Sequence, residues 1–194
     1  CGSTNFEEIK EAKALGMDTV VIDHHELSGT IPAACALINP KRANSLFPTR
    51  ELAASGTTFF FLLALRRVMH SHGLIRQKIN LKKELDITAL GTIGDMVPLT
   101  KDNRIIVKFG METMKKNPKT WLRAFLKSRL IPERGIDEYA LSFIIIPRIN
   151  ATGRVSDPES SLHFLTCDDE HKSAALLTAL NEANRSRQQI EEEI

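Results

Sequence analysis

Thr19-Val20-Val21-Ile22-Asp23-His24-His25 is the stretch from which the rest of the chain is read. A short run rich in β-branched residues ends in a sudden cluster of ionisable side chains, the pattern of a buried parallel strand whose carboxyl end opens into a cleft. Ligands of open α/β sheets bind at such ends. Asp23, His24 and His25 offer one hard oxygen ligand and two imidazoles, a set that suits Mn²⁺ or another borderline divalent ion better than Mg²⁺ or Ca²⁺. A second reading stays open from the residues alone: a helix cap followed by two histidines at the surface or the core edge. A further acid, Asp95, lies in Gly91-Thr92-Ile93-Gly94-Asp95-Met96-Val97-Pro98-Leu99, between a small-residue helical run and a proline that halts it. The expectation is that Asp95 and the triplet converge on one cleft.

Outward from the triplet, the elements alternate in the manner of an α/β protein. Thr4-Asn5-Phe6-Glu7 has capping-box spacing, with Ile9, Ala12 and Leu15 on one helix face and Gly16 where the helix would close. Ser28 to Pro32 is a loop, and Cys35 to Ile38 a second short strand ended by Asn39-Pro40. Arg50 to His72 reads as one long, largely buried helix using Leu52, Phe59, Leu62, Leu63 and Met69. His70 and His72 fall on different faces beside Gly73 and are taken as structural, favoured there by the helix dipole. Leu81 to Gly94 predicts a helix whose small side, Ala89, Gly91 and Gly94, runs close to the sheet and delivers Asp95. Helices follow at Asp102 to Lys116 and Lys119 to Arg129, split by Asn117-Pro118.

Between Lys115 and Arg134 lie Lys115, Lys116, Lys119, Arg123, Lys127, Arg129 and Arg134 against the single acid Glu133, which fits a solvated helix face at least as well as a phosphate track. Ala140 to Ile146, β-branched and apolar, reads as a strand or a packed helix start. It leads into Pro147-Arg148-Ile149-Asn150-Ala151-Thr152-Gly153-Arg154, read as a loop whose guanidinium and backbone donors can grip phosphate. From Asp168 a single long helix is expected, with a narrow seam of Leu176, Leu180, Ala183, Arg187, Ile190 and Ile194 that packs on the domain at first and then leaves it.

Bulk properties narrow the class. The 194 residues are 42% hydrophobic, enough for a real core, and the net charge of +2 leaves any basic footprint to be local. Cys1, Cys35 and Cys167 are scattered and odd in number, against a disulfide framework or a zinc site and in keeping with a reducing cytoplasm. The most apolar run, Thr57 to Leu65, is half of a membrane span and ends in Arg66-Arg67. The chain opens on Cys1 without a secretion-like leader, and Gln188 to Ile194 keep helical pattern to the end. A fragment truncated at both ends is therefore expected, with 1–167 a partial catalytic domain and 168–194 a helix leading to a missing second domain.

Four motifs in order carry a resemblance: Val21 to His25; Ile38-Asn39-Pro40-Lys41-Arg42; Ala89 to Leu99; and Pro147 to Arg154. Together they resemble the DHH phosphoesterase superfamily, and within it the RecJ single-strand-specific exonucleases. The resemblance implies a parallel sheet flanked by helices, with a helix-rich C-terminal half. It implies metal-assisted phosphodiester hydrolysis, with Mn²⁺ or Mg²⁺ in a two-metal site held in part by Asp23, His24 and Asp95, and with His25 beside them in catalysis. It also implies that Arg148, Asn150 and Arg154 hold the strand, and that single-stranded DNA is degraded 5′-to-3′ in repair and recombination. Thr152 stands where alanine is commoner. Because the family pattern uses acids upstream of Cys1, the chain alone is expected to be inactive. Two rivals remain: another phosphodiesterase of the superfamily, acting on oligoribonucleotides or cyclic dinucleotides, and a catalytically silent replication scaffold. No Gly-x-Gly-x-x-Gly turn supports a nicotinamide-binding domain.

Overall fold

Two three-residue strands in parallel set the position of the Asp23-His24-His25 triplet. In the computed structural model, which describes residues 2–27, 29–132 and 135–193, β1 (Val20–Ile22) pairs with β2 (Ala36–Ile38) in the register Val20↔Ala36, Val21↔Leu37, Ile22↔Ile38. The pairing extends by a residue at each end, through Cys35 N–H to Thr19 O at 2.8 Å and Asp23 N–H to Ile38 O at 3.0 Å. Cys1, Ser28, Glu133, Arg134 and Ile194, which figure in the readings above, lie outside the described residues. The chain divides into two compact units, Cys1–Gly110 and Met111–Ile194.

In the first unit the sheet rests on one face. Ile9 of α1 (Phe6–Ala14), Val21 and Leu37 form a small core against which Leu27 and Ala34 pack. Val20 stays half exposed, so the expectation of a fully buried strand is corrected: only alternate side chains go inside. The connection from β1 to β2 is irregular in its described residues rather than helical. Nor does the Thr4 capping box form. The helix starts one residue later, with Asn5 as N-cap and no side-chain cap bond. The preceding residues are drawn into a turn instead, Asn5 N–H reaching Gly2 O at 3.2 Å.

A helical layer completes this unit. α2 (Ala54–Ser71) buries Gly56, Thr57 and Phe59, but Leu65 and Val68 in its second half are exposed, so it is not the largely buried helix that its composition suggested. A 3₁₀ turn, Leu81–Glu84, leads into α3 (Leu85–Gly94). The small side of α3 meets helices and not the sheet: a Cβ on Gly91 would lie 2.7 Å from Ser55 Oγ of α2. From α4 (Lys101–Lys116), a Cβ on Gly110 would lie 2.3 Å from Ala89 Cβ and 2.4 Å from Leu85 O.

The second unit is helical throughout its described elements. α5 (Thr120–Lys127) buries Trp121, Leu122 and Phe125, and the Phe125 ring meets Phe164 of α7 (Glu159–Thr166) edge-on, centroids 5.7 Å apart. Ala140–Ile145 is a π-helical stretch that runs directly into α6 (Ile146–Val155). The loop expected over 147–154 is thus a helix with Pro147 in its first turn. The change from π- to α-helical winding coincides with the residue that has no N–H to donate. α8 (Glu170–Glu192) is capped by Asp169, whose side chain accepts Lys172 N–H, and buries Ser173, Leu177, Leu180, Ala183 and Asn184. Leu177 replaces Leu176 in the expected seam. Beyond Asn184 the helix is mostly exposed, and Ile190 lies half in solvent.

Two helical glycines should respond oppositely to a methyl group. Gly110→Ala drives a Cβ into the α3 backbone and should lower stability by about 1–3 kcal/mol. Gly153→Ala meets nothing closer than Pro158 Cβ at 3.9 Å and should raise stability by about 0.5–1 kcal/mol through helix propensity. Chemical denaturation of both variants checks the pair.

Candidate metal centre

Asp23 ends β1 with its side chain 2% exposed. Its carboxylate is surrounded by donors: Oδ2 accepts Ser3 N–H at 3.0 Å, and Oδ1 accepts the His24 N–H at 2.7 Å, the His25 N–H at 3.2 Å and His25 Nδ1 at 2.6 Å. Burial alone would raise its pKa, but hydrogen bonds from Ser3, His25 and His24 outweigh burial and hold the carboxyl well below the usual carboxylate range. An ionised carboxylate only accepts, so His25 Nδ1 is the donor of this contact and the ring is held in one orientation.

His24 turns the other way. Its Nε2 lies 3.1 Å from Asp95 Oδ2, with the imidazole 14% exposed. Burial, with help from His25 and Lys41, lowers its pKa against the opposing pull of Asp95 and Asp23, so a neutral ring is favoured. The two imidazoles are tilted neighbours, centroids 4.5 Å apart. Asp95 arrives as the C-cap of α3, its N–H bonded to Gly91 O at 3.0 Å, and the chain leaves through Met96 at φ +55°. The convergence of Asp95 with the triplet is thus present in the structure.

The donor set fits a divalent cation. One potential ligand atom from each of Asp23, His24 and His25 lies within 4.8 Å of the others, and Asp95 is held against His24. Two carboxylates and two imidazoles, one carboxylate firmly ionised and one ring neutral, make a borderline site.

Residues without an assigned role from the sequence also shape this end of the sheet. Ser3 donates to Asp23, an interaction across twenty positions that no local pattern announces. Asn39, 4% exposed, donates from Nδ2 to His25 O at 2.9 Å and accepts Lys41 N–H on Oδ1 at 2.8 Å. Asn39 and Lys41 stood within a recognised motif, and their bonding was not legible from it.

The three residues expected to hold nucleic acid lie on α6, in the second unit, and are unlike one another. Arg148 is partly buried, with Nε donating to Asn181 Oδ1 and Nη1 to Ile144 O, each at 2.6 Å. Burial, then the neighbouring Arg185, disfavours its charge. Asn150 and Arg154 are exposed. Of the basic run after Lys115, Arg123 and Lys127 both reach Glu170, at 3.0 and 2.6 Å, and Lys116 lies 3.8 Å from Glu112. Much of that run is therefore a paired surface.

Residues 1–92 match the DHH family, N-terminal domain. The chain is 33% identical to the single-stranded-DNA-specific exonuclease RecJ of Escherichia coli K12 over 98% of its length, covering 34% of that protein. It thus spans about a third of the length of the curated relative. Among solved structures, it superposes on exonuclease RecJ bound to manganese with a TM-score of 0.82 at 30% identity, covering all of this chain and 47% of the other. A TM-score of 0.81, also at 30% identity, relates it to RecJ in complex with Mn²⁺ from Thermus thermophilus, again over all of this chain and over 28% of the other. The first 92 residues are thus similar to the DHH family's N-terminal domain, and nearly the whole chain resembles RecJ exonucleases in sequence and fold.

Proposed function

We propose that this chain is the core of a metal-dependent phosphodiesterase that degrades single-stranded DNA from the 5′ end, as the resemblance to RecJ exonucleases implies. The observation that carries the proposal is the juxtaposition of the Asp23-His24-His25 ligand atoms with Asp95, 3.1 Å from His24. Asp23, His24 and Asp95 would hold Mn²⁺ or Mg²⁺, with His25 beside them. When bound, such ions acidify the attacking water and offset charge on the phosphate and the leaving oxygen. The protein's own contribution is preorganisation. Asp23 fixes the ring of His25, and Asp95 faces the edge of His24 that would otherwise be free to rotate. The manganese-bound state of the solved RecJ proteins supports the choice of ion.

Arg148, Asn150 and Arg154 are proposed to hold the nucleic-acid backbone. Arg185 stands near enough to disfavour the charge on Arg148, a condition that a phosphate would relieve. The partner proposed is single-stranded DNA; among the described residues no helix is long and apolar enough to cross a membrane. Cys35 and Cys167 are free thiols, which suits the reducing cytoplasm proposed for it. The presence of Asp23, His24 and Asp95 at the metal positions, with His25 beside them, favours an enzyme over a silent scaffold.

Two outcomes test this. In calorimetric titration with Mn²⁺, Asp95→Asn should weaken binding by at least about tenfold while the circular dichroism spectrum and melting temperature stay at the parent's values, since the lost carboxylate is a ligand and not a packing element. Equal Mn²⁺ isotherms would remove Asp95 from the site. The two arginines should separate. Arg154→Ala should leave stability within about 0.5 kcal/mol, weaken single-stranded DNA binding and reduce the log Kd against log salt slope by about 0.7. Arg148→Ala should also destabilise the fold by roughly 1–3 kcal/mol, because Asn181 and Ile144 O lose a charged donor.

A further inference from the structure

Beyond the three residues assigned to metal and His25 beside them, the end of β2 carries a lysine held more firmly than a surface lysine requires. The backbone of Lys41 is gripped from both sides: its N–H by Asn39 Oδ1 at 2.8 Å, its carbonyl by Arg50 Nη2 at 2.8 Å. Arg50 also reaches Arg42 O at 3.1 Å, and Asn39 ties this turn to the carbonyl of His25 at 2.9 Å. Pro40, between the two, has a fixed φ. The side chain of Lys41 is only 19% exposed, and its ammonium lies 2.9 Å from Glu26 Oε1 and 3.8 Å from Glu51 Oε2.

Those partners are the informative part. The Glu26 side chain is 83% exposed and that of Glu51 54% exposed, so both carboxylates sit largely in water while the lysine side chain as a whole lies against the protein. An ion pair with an exposed partner adds little to stability, and holding a long lysine side chain in one place costs rotamer freedom. Stability therefore gives no reason to cover this lysine, whereas a site that must meet an anion does. Its field also reaches the metal cluster: Lys41 is among the charges acting on His24, and Asp95 among those acting on Lys41.

We propose that Lys41 is a phosphate-binding residue of the Asp23-His24-His25-Asp95 cleft, its ammonium held by Glu26 until a phosphate of the single-stranded nucleic acid takes that carboxylate's place. The assignment rests on the phosphodiesterase reading. Exchange of one anion for another keeps the ammonium paired throughout, and Glu26 can turn into solvent without losing a buried contact. Lysine suits the task as a compact point charge with three donors, and the clamped backbone confines where that charge can sit.

Fluorescence anisotropy with a short, 5′-phosphorylated, phosphorothioate oligothymidylate in Mn²⁺ tests the assignment, alongside a Mn²⁺ isotherm for each variant. Lys41→Met is expected to raise Kd about tenfold or more and to reduce the salt slope by about 0.7, with Mn²⁺ binding and melting temperature unchanged. Lys41→Arg should restore most of the affinity, and Glu26→Gln should lower Kd below the parent's, since the competing carboxylate is gone. A Lys41→Met protein with the parent's Kd and salt slope overturns the assignment while leaving the phosphodiesterase reading intact, as does a loss of affinity that follows weakened Mn²⁺ binding. If the parent protein binds no oligothymidylate, the phosphodiesterase reading falls and the role of Lys41 falls with it.

Discussion

The buried carboxylate of Asp23 organises the end of the sheet in the first unit. Asp23 is placed at the end of a strand, almost wholly out of water, and such a group is tolerable as an anion only when hydrogen bonds replace its hydration. The replacements come from three places: the turn before α1 through Ser3, the backbone immediately after β1, and the ring of His25. Satisfying Asp23 thus joins the N-terminal turn to the sheet and orients an imidazole in one arrangement. The close approach of Gly2 fits this: a Cβ there would come within 3.0 Å of Val21 Cγ1.

Asp95 depends on a different constraint, the near contact of helices. α3 is delivered to the sheet end by packing in which side chains are nearly absent, Gly91 against Ser55 and Gly110 against Ala89. A helix held by such close contacts has little freedom to shift, so the carboxylate that caps it meets His24 at a defined distance. The cluster is assembled by two unrelated devices, a saturated anion on one side and small-residue packing on the other. The Asn39 clamp adds a third tie, from β2 to the His25 carbonyl.

Much of the site was legible in the sequence because it is local. An apolar run that ends in ionisable residues marks a strand end, and a glycine-rich run that ends in an acid before proline marks a helix terminus. The parallel pair and the meeting of Asp95 with the triplet follow from those signals. What was not legible depended on partners distant in the chain. Thr4 looked like a cap, yet the residues around it serve the turn that feeds Asp23. Ala140 to Ile146 was open to a strand or a packed helix start, and the residues from Pro147 looked like a loop; in the fold a π-helical stretch runs into a helix on which the arginines stand. In α8 the choice between Leu176 and Leu177 is one helical position, decided by the neighbours and invisible in a periodic pattern. Lys41 and Asn39 could be quoted from a motif, but only coordinates join Asn39 to His25.

The claim on which the rest depends is that Asp23, His24 and Asp95 bind one cation environment. Anomalous diffraction from crystals of the protein soaked in Mn²⁺ measures that directly. The account predicts a manganese peak within about 2.0–2.6 Å of a carboxylate oxygen of Asp95 and of a ring nitrogen of His24, the ordinary range for such bonds. A crystal with manganese bound elsewhere, and with His24 and Asp95 still paired to each other at full occupancy, would contradict it.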